Sequence, residues 1–239
     1  MESKNSIFSL GTKYNTNKIY HHGYHRYYED FLLKYKKKKF NFLEIGMDVG
    51  KSLFLWRDYF PKAFIYGLEI KQEYIDKNIF VIKGDQSSLK DLKKLVSITN
   101  KCNVIIDDGS HVPEHQLISF NYLFKHCLSE DGIYIIEDIE TSYWRKEKKA
   151  KLYGYNIDSG YDSKNNIVNI FRDIVPIVNR EFISKENKKN LIKKSRLTEY
   201  CINNISSIMF GMNCIIIKKI SNYEKKKFTN RKYRYKKFI

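Results

Sequence analysis

FNFLEIGMDVG, residues 40–50, passes from a short apolar run into a turn bounded by Gly46 and Gly50, the pattern of a buried strand that ends in a tight loop. KSLFLWRDYF (51–60) continues as a helix that Pro61 stops. Downstream, AFIYGLEI (63–70), IFVIKGD (79–85), CNVIIDD (102–108) and GIYIIED (132–138) repeat the strand pattern, and SSLKDLKKLVSIT (87–99) and PEHQLISFNYLFKHCL (113–128) carry apolar residues at helical steps. Strands alternating with helices of this length imply right-handed crossovers and a parallel sheet covered on both faces, an α/β fold.

Upstream, Tyr24, Tyr27, Tyr28, Phe31, Leu32 and Tyr35 recur at helical spacing, so an amphipathic helix is expected over 24–37. Beyond the fifth strand, 139–165 reads as a lid or substrate loop, 166–181 as a helix kinked at Pro176, and MNCIIIKKI (212–220) as a last strand pairing antiparallel with EYCINNI (199–205). The expected organisation is a helical lid segment over 1–38, a catalytic domain over 39–220 and a basic tail over 221–239.

No apolar run approaches the roughly 18 residues of a membrane span, and no secretory leader is evident, so a soluble cytoplasmic protein is expected. Cys102, Cys127, Cys201 and Cys214 lie far apart without a CxxC pair, which argues against a zinc or redox centre. The formal charge of +17 owes much to the tail, where eight basic residues face one acid. The remaining excess is spread over a body rich in Lys, Asn and Ile. The tail reads either as a solvated end or as a contact for an anionic partner; the oligomeric state, a homo-oligomer included, stays open.

In an open parallel sheet ligands bind beyond the carboxyl ends of the strands. Five ends carry polar groups: Glu44 and Gly46 after the first, Glu69 on the second, Asp85 and Gln86 after the third, Asp107 and Asp108 on the fourth, Glu137 and Asp138 on the fifth. Glu69, 23 residues past Gly46, suits the hydroxyls of a ribose, and Asp85 with Gln86 an adenine edge. Because Gly46 is followed by Met47, Asp48 and Val49 and not by the GxGxxG pattern, a cofactor without phosphates fits better than a dinucleotide. With neighbouring strands about 4.8 Å apart, Asp108, Glu137 and Asp138 are expected to converge and to need a hard divalent cation, magnesium above all. His111, just before a helix opened by Pro113, is the candidate general base. His115 reads as a local hydrogen-bonding residue, since the HExxH zinc pattern is absent.

These residues resemble a known group. LEIGMDVGKSLFLWRDYFPKAFIYGLEI, GDQ (84–86), IIDDGSHVPEHQLISFNYLF and IYIIEDIETSYW, together with the upstream GTKYNTNKIYHHGYHRYYEDF, are similar to the class I methyltransferases typified by the mycinamicin 6''-O-methyltransferase, with the cephalosporin-hydroxylase-like group as a close neighbour. The resemblance covers roughly residues 11–145 and implies a Rossmann-like, mostly parallel seven-stranded sheet. It also implies an S-adenosylmethionine pocket lined by Glu44, Gly46, Glu69, Asp85, Gln86 and Asp107, magnesium ligands Asp108, Glu137 and Asp138, and His111 as base. The implied reaction is O-methylation of a sugar or glycosylated small molecule. Asn17 departs from the aspartate the group has before Lys18, and the segment from 146 onward is unlike theirs, which leaves the acceptor unassigned. The rival readings are an RNA or protein methyltransferase docked through the basic tail, and a non-catalytic cofactor-binding module. An oxygenase lacks its two-histidine, one-carboxylate iron pattern.

Overall fold

The computed structural model describes residues 5–144, 151–152, 155–180 and 182–228. In chain order its elements are α1 (Ile7–Lys13), α2 (Asn17–Tyr20), α3 (His25–Leu32), β1 (Asn41–Ile45), α4 (Lys51–Tyr59), β2 (Phe64–Glu69), β3 (Tyr74–Asp76), β4 (Ile79–Lys83), α5 (Leu89–Thr99), β5 (Cys102–Asp107), α6 (Pro113–His126) and β6 (Leu128–Glu137). There follow a small hairpin of β7 (Lys151–Leu152) and β8 (Tyr155–Asn156), then α7 (Ile167–Asp173), α8 (Lys185–Lys194), α9 (Glu199–Asn204), β9 (Ile205–Gly211), β10 (Cys214–Lys219) and α10 (Asn222–Phe228).

One sheet runs in the order β3-β4-β2-β1-β5-β6-β10-β9. The pairs from β4 to β6 are parallel, and β10 lies antiparallel between β6 and β9. Seven of these strands are those the sequence points to or their close neighbours. The eighth, β3, is a three-residue antiparallel edge on β4 whose side chains are largely exposed, so it lacks the apolar pattern of its neighbours. Strand order reverses between β1 and β5, and ligand crevices form where that happens.

Alternation along each strand feeds two cores. Leu43, Ile105, Tyr134, Ile136 and Ile217 face α5, α6, α7 and α9, whereas Phe42, Val104, Ile106, Ile135 and Ile216 face α4 and the N-terminal segment. Helix α5 starts where the Ser88 hydroxyl accepts the amide of Asp91, and it buries Leu92, Leu95 and Thr99 on one stripe. Pro113 opens α6, where its missing N–H costs nothing. The N-terminal segment packs on the second core: Tyr24, Tyr28 and Leu32 are fully buried, with Tyr28 packed on Trp56.

The structure corrects three expectations of detail. EYCINNI is a helix over Glu199–Asn204, capped by the Thr198 hydroxyl accepting from the amide of Cys201, and the strand that pairs with β10 is the next segment, Ile205–Gly211. The helix expected over 166–181 ends at Asp173, and Pro176 lies in a separate 3-10 turn, Val175–Asn179, because a proline ring clashes with the preceding turn. Likewise the helix expected over 24–37 is α3 followed by a 3-10 turn at Leu33–Tyr35. The expected lid falls in part, and the basic tail in larger part, outside the described residues.

Candidate active site

The carboxyl ends of β1, β2, β4 and β5 surround a cleft lined by Gly46, Leu68, Glu69, Ile70, Asp85, Gln86, Asp108 and Ser110, with Tyr155 across it. The loop after β1 approaches β5 so closely that a β-carbon on Gly46 would stand 2.2 Å from the carbonyl oxygen of Asp108, and φ at Gly46 is +78°. Only glycine fits there. Glu69 accepts the amides of Met47 at 3.2 Å and Lys71 at 3.0 Å, tying the end of β2 to the glycine loop. Asp85 accepts the amide of Ser87 at 2.7 Å. Gln86 accepts the amide of Ser110 at 2.6 Å and donates to Asp107 at 3.0 Å, fixing the DDGSH turn.

Two residues expected in this pocket are turned away from it. Glu44 is buried beneath the loop, where it accepts from the Ser52 hydroxyl at 2.7 Å and the Trp56 indole at 3.2 Å. Asp107 points into the other core, accepting from Ser119 at 2.5 Å and Tyr134 at 3.2 Å. Burial pushes its carboxyl up to about 6, against the pull of the three groups that donate to it.

Beside the cleft, a second recess is bounded by Asn15, Thr16, Asn17, Asp48, Lys51, Asp108 and His111. Asp108 therefore borders both spaces. One oxygen or nitrogen from each of Asp108, His111 and Asp138 lies within 4.8 Å of the others, the one grouping of its kind among the described residues. Nε2 of His111 is 3.6 Å from Oδ2 of Asp138. Both residues hold left-handed backbone, with φ of +55° and +51°, and the His111 carbonyl is secured by the Thr141 hydroxyl at 2.6 Å. His115 makes the local bond expected of it, 2.9 Å to the Ser110 hydroxyl.

Glu137, the third expected metal ligand, adjoins this grouping and is already engaged: Oε1 accepts from the Tyr28 hydroxyl and Oε2 lies 2.5 Å from Nζ of Lys18. Lys18 is itself buried, 2.6 Å from Asp108 and 3.1 Å from Glu44. Burial opposes its charge, but Asp108, Glu137 and Glu44 together outweigh that and raise it well above an ordinary lysine. Burial and the nearby Asp108 raise Glu137 well above the usual carboxylate range, while Lys18 pulls it back. Tyr24 donates to Asp138 at 2.5 Å, and Asn213 donates to the same oxygen at 3.2 Å.

The sequence reading missed Lys18, Tyr24 and Tyr28 as site residues. Their signal was present in the run NKIYHHGYHRYY, but helical spacing marks only a buried face and says nothing of a hydroxyl or ammonium at its rim. Two carboxylates and an imidazole this close are a donor set suited to a divalent cation, and the glycine-flanked cleft beside them has room for a nucleoside.

Aligned with solved structures, the chain superposes on the MycE methyltransferase of the mycinamycin biosynthetic pathway, in complex with Mg and SAH, with a TM-score of 0.76 and 26% identity over 92% of this chain and 55% of that one. The fold is that of a class I methyltransferase. Among curated proteins, the chain is 33% identical over 151 residues to the mycinamicin VI 2''-O-methyltransferase of Micromonospora griseorubida, 59% of this chain and 38% of the relative. It is 34% identical over 132 residues to the demethylmacrocin O-methyltransferase of Streptomyces fradiae, 52% of this chain and 33% of the relative. The chain thus spans less than two fifths of the length of these methyltransferase relatives. No family model matches it.

Proposed function

We propose that this chain transfers a methyl group from S-adenosylmethionine to a hydroxyl of a sugar or glycosylated small molecule, with magnesium at the acceptor side. The observation that carries the reading is the position of Asp108, which borders both the nucleoside-sized cleft and the recess holding His111. The relatives support it, since both are O-methyltransferases by name and MycE was solved with Mg and SAH.

In this reading Gly46, Glu69, Asp85 and Gln86 hold the cofactor, and Asp108 and Asp138, with Glu137 beside them, hold the ion. When bound, S-adenosylmethionine supplies an electrophilic methyl, and magnesium lowers the pKa of a hydroxyl it contacts. His111 receives the hydroxyl proton at Nε2, and its constrained backbone keeps that nitrogen aimed at the recess. Residues 15–17 of the N-terminal segment close the acceptor side, and Asn15, Asn17 and Lys51 supply its polar wall.

The test is incubation with methyl-labelled S-adenosylmethionine and a panel of glycosides and nucleotide sugars, with magnesium or with EDTA, read by mass spectrometry. Label on a sugar hydroxyl that disappears in chelator is expected. Full turnover in EDTA would remove the metal from the mechanism, and label in RNA or protein in place of the glycosides would replace the acceptor class.

A further inference from the structure

The N-terminal segment reaches the acidic cluster with three donors. Lys18 bridges Asp108 and Glu137 and touches Glu44, the Tyr28 hydroxyl meets the other oxygen of Glu137, and the Tyr24 hydroxyl meets Asp138. Three carboxylates thus gather around a single buried ammonium, and these contacts tie α2 and α3 to the ends of β1, β5 and β6. Converging carboxylates repel unless a cation intervenes. A buried ammonium in turn costs several kcal/mol of desolvation unless opposite charges or hydrogen bonds offset it. The ammonium also stands beside an oxygen of Asp108, one of the residues grouped for a divalent ion, so like charges would face each other across that carboxylate.

We propose that Lys18 is a positioning residue, a built-in cation that holds the carboxylates and the N-terminal segment together whether or not a divalent ion is bound, and that weakens the ion's hold on Asp108. The second half of this inference rests on the metal reading above. Lys18 offsets the charge of the inner carboxylates, Glu44 and Glu137, and shares that of Asp108, which borders the recess. It also makes docking of residues 7–32 independent of the ion. The site therefore keeps its shape between turnovers, and the ion can leave without the segment opening.

The full-length chain, its Lys18→Met variant and its Lys18→Arg variant are compared by magnesium titration calorimetry and by thermal melting in EDTA and in magnesium. Removing the ammonium should tighten magnesium binding by about tenfold and enlarge the rise in Tm that magnesium gives, because the ion then replaces the missing charge. Lys18→Arg should behave as the wild type. A purely structural lysine would lower both melting curves equally and leave magnesium affinity unchanged, and that result would overturn the proposal. Hydrogen exchange on the wild type covers the case in which Lys18→Met does not fold: amides of 7–32 should stay protected in EDTA, and loss of that protection would equally refute it. Absence of magnesium binding by the wild type would bring down the metal reading itself, whereas intact binding that is indifferent to Lys18 would bring down only this proposal.

Discussion

His111 and Asp138 pay for their placement in backbone strain, since left-handed φ in a non-glycine residue persists only when its surroundings fix it. In its proposed role of general base, His111 replaced by Ala is expected to lower kcat by roughly 10²–10⁴-fold while cofactor affinity measured by calorimetry stays near the wild-type value; an unimpaired His111→Ala variant would dismiss it as the base. Gly46→Ala forces a β-carbon into the Asp108 carbonyl and should cost stability by about 2 kcal/mol or more, along with cofactor binding, as read by chemical denaturation and calorimetry. Far from the site, Lys219 is buried with its ammonium donating to the carbonyls of Phe124 at 2.9 Å and Leu128 at 2.7 Å. Burial lowers it to about 8 from an ordinary 10.5, so between those values the unfolded chain binds more protons and stability rises with pH. The difference in denaturation midpoint between the wild type and Lys219→Met should shift in favour of the wild type between pH 8 and 10.5, and a difference that does not change with pH would refute the assignment. At this scale the sequence locates strand ends but not faces. Successive residues point to opposite sides of a sheet, so Asp107 enters a core while Asp108 borders the cleft.

At the scale of elements, the glycine turn, the five strands that build the parallel centre and the helices between them were legible because each pairs a clear period with a clear stop. Helix α5 is a case: its stripe of Leu92 and Leu95 and its Ser88 cap agree. Ser88→Ala should destabilise by about 1 kcal/mol in equilibrium denaturation, and an unchanged midpoint would deny the cap its weight. The segment from 199 to 211 was not legible in the same way. Its apolar residues, Tyr200, Cys201, Ile202, Ile205, Ile208, Met209 and Phe210, follow neither a clean helical nor a clean alternating period, and the decisive contact is a hydroxyl cap at Thr198. Strand β3 escapes for the opposite reason, being an exposed edge with no buried face to announce it.

For the whole molecule, alternation of strands and helices fixes a parallel sheet, yet the order of strands and the seating of the N-terminal segment depend on contacts no local pattern contains. Among the described residues no helix is long and apolar enough to cross a membrane. Helix α8 buries no residue and carries Lys185, Lys188, Lys189, Lys193 and Lys194, so positive charge is not confined to the tail. Removal of residues 229–239 is expected to leave kcat/KM on a glycoside within about twofold, because such charge acts mainly on encounter with charged partners and a glycoside is neutral; a large loss would favour the RNA or protein reading.

The ammonium of Lys18 precedes Asp108 by 90 residues and Glu137 by 119. While the chain is being synthesised, that group must stay hydrated until β6 exists, since no shorter stretch contains all the charges that make its burial tolerable. Closing loops of this length is slow, and contacts so distant in sequence form late. In refolding followed by the fluorescence of Trp56, whose indole bonds the same Glu44, the sheet should assemble ahead of a separate slower phase in which the amino-terminal helices settle.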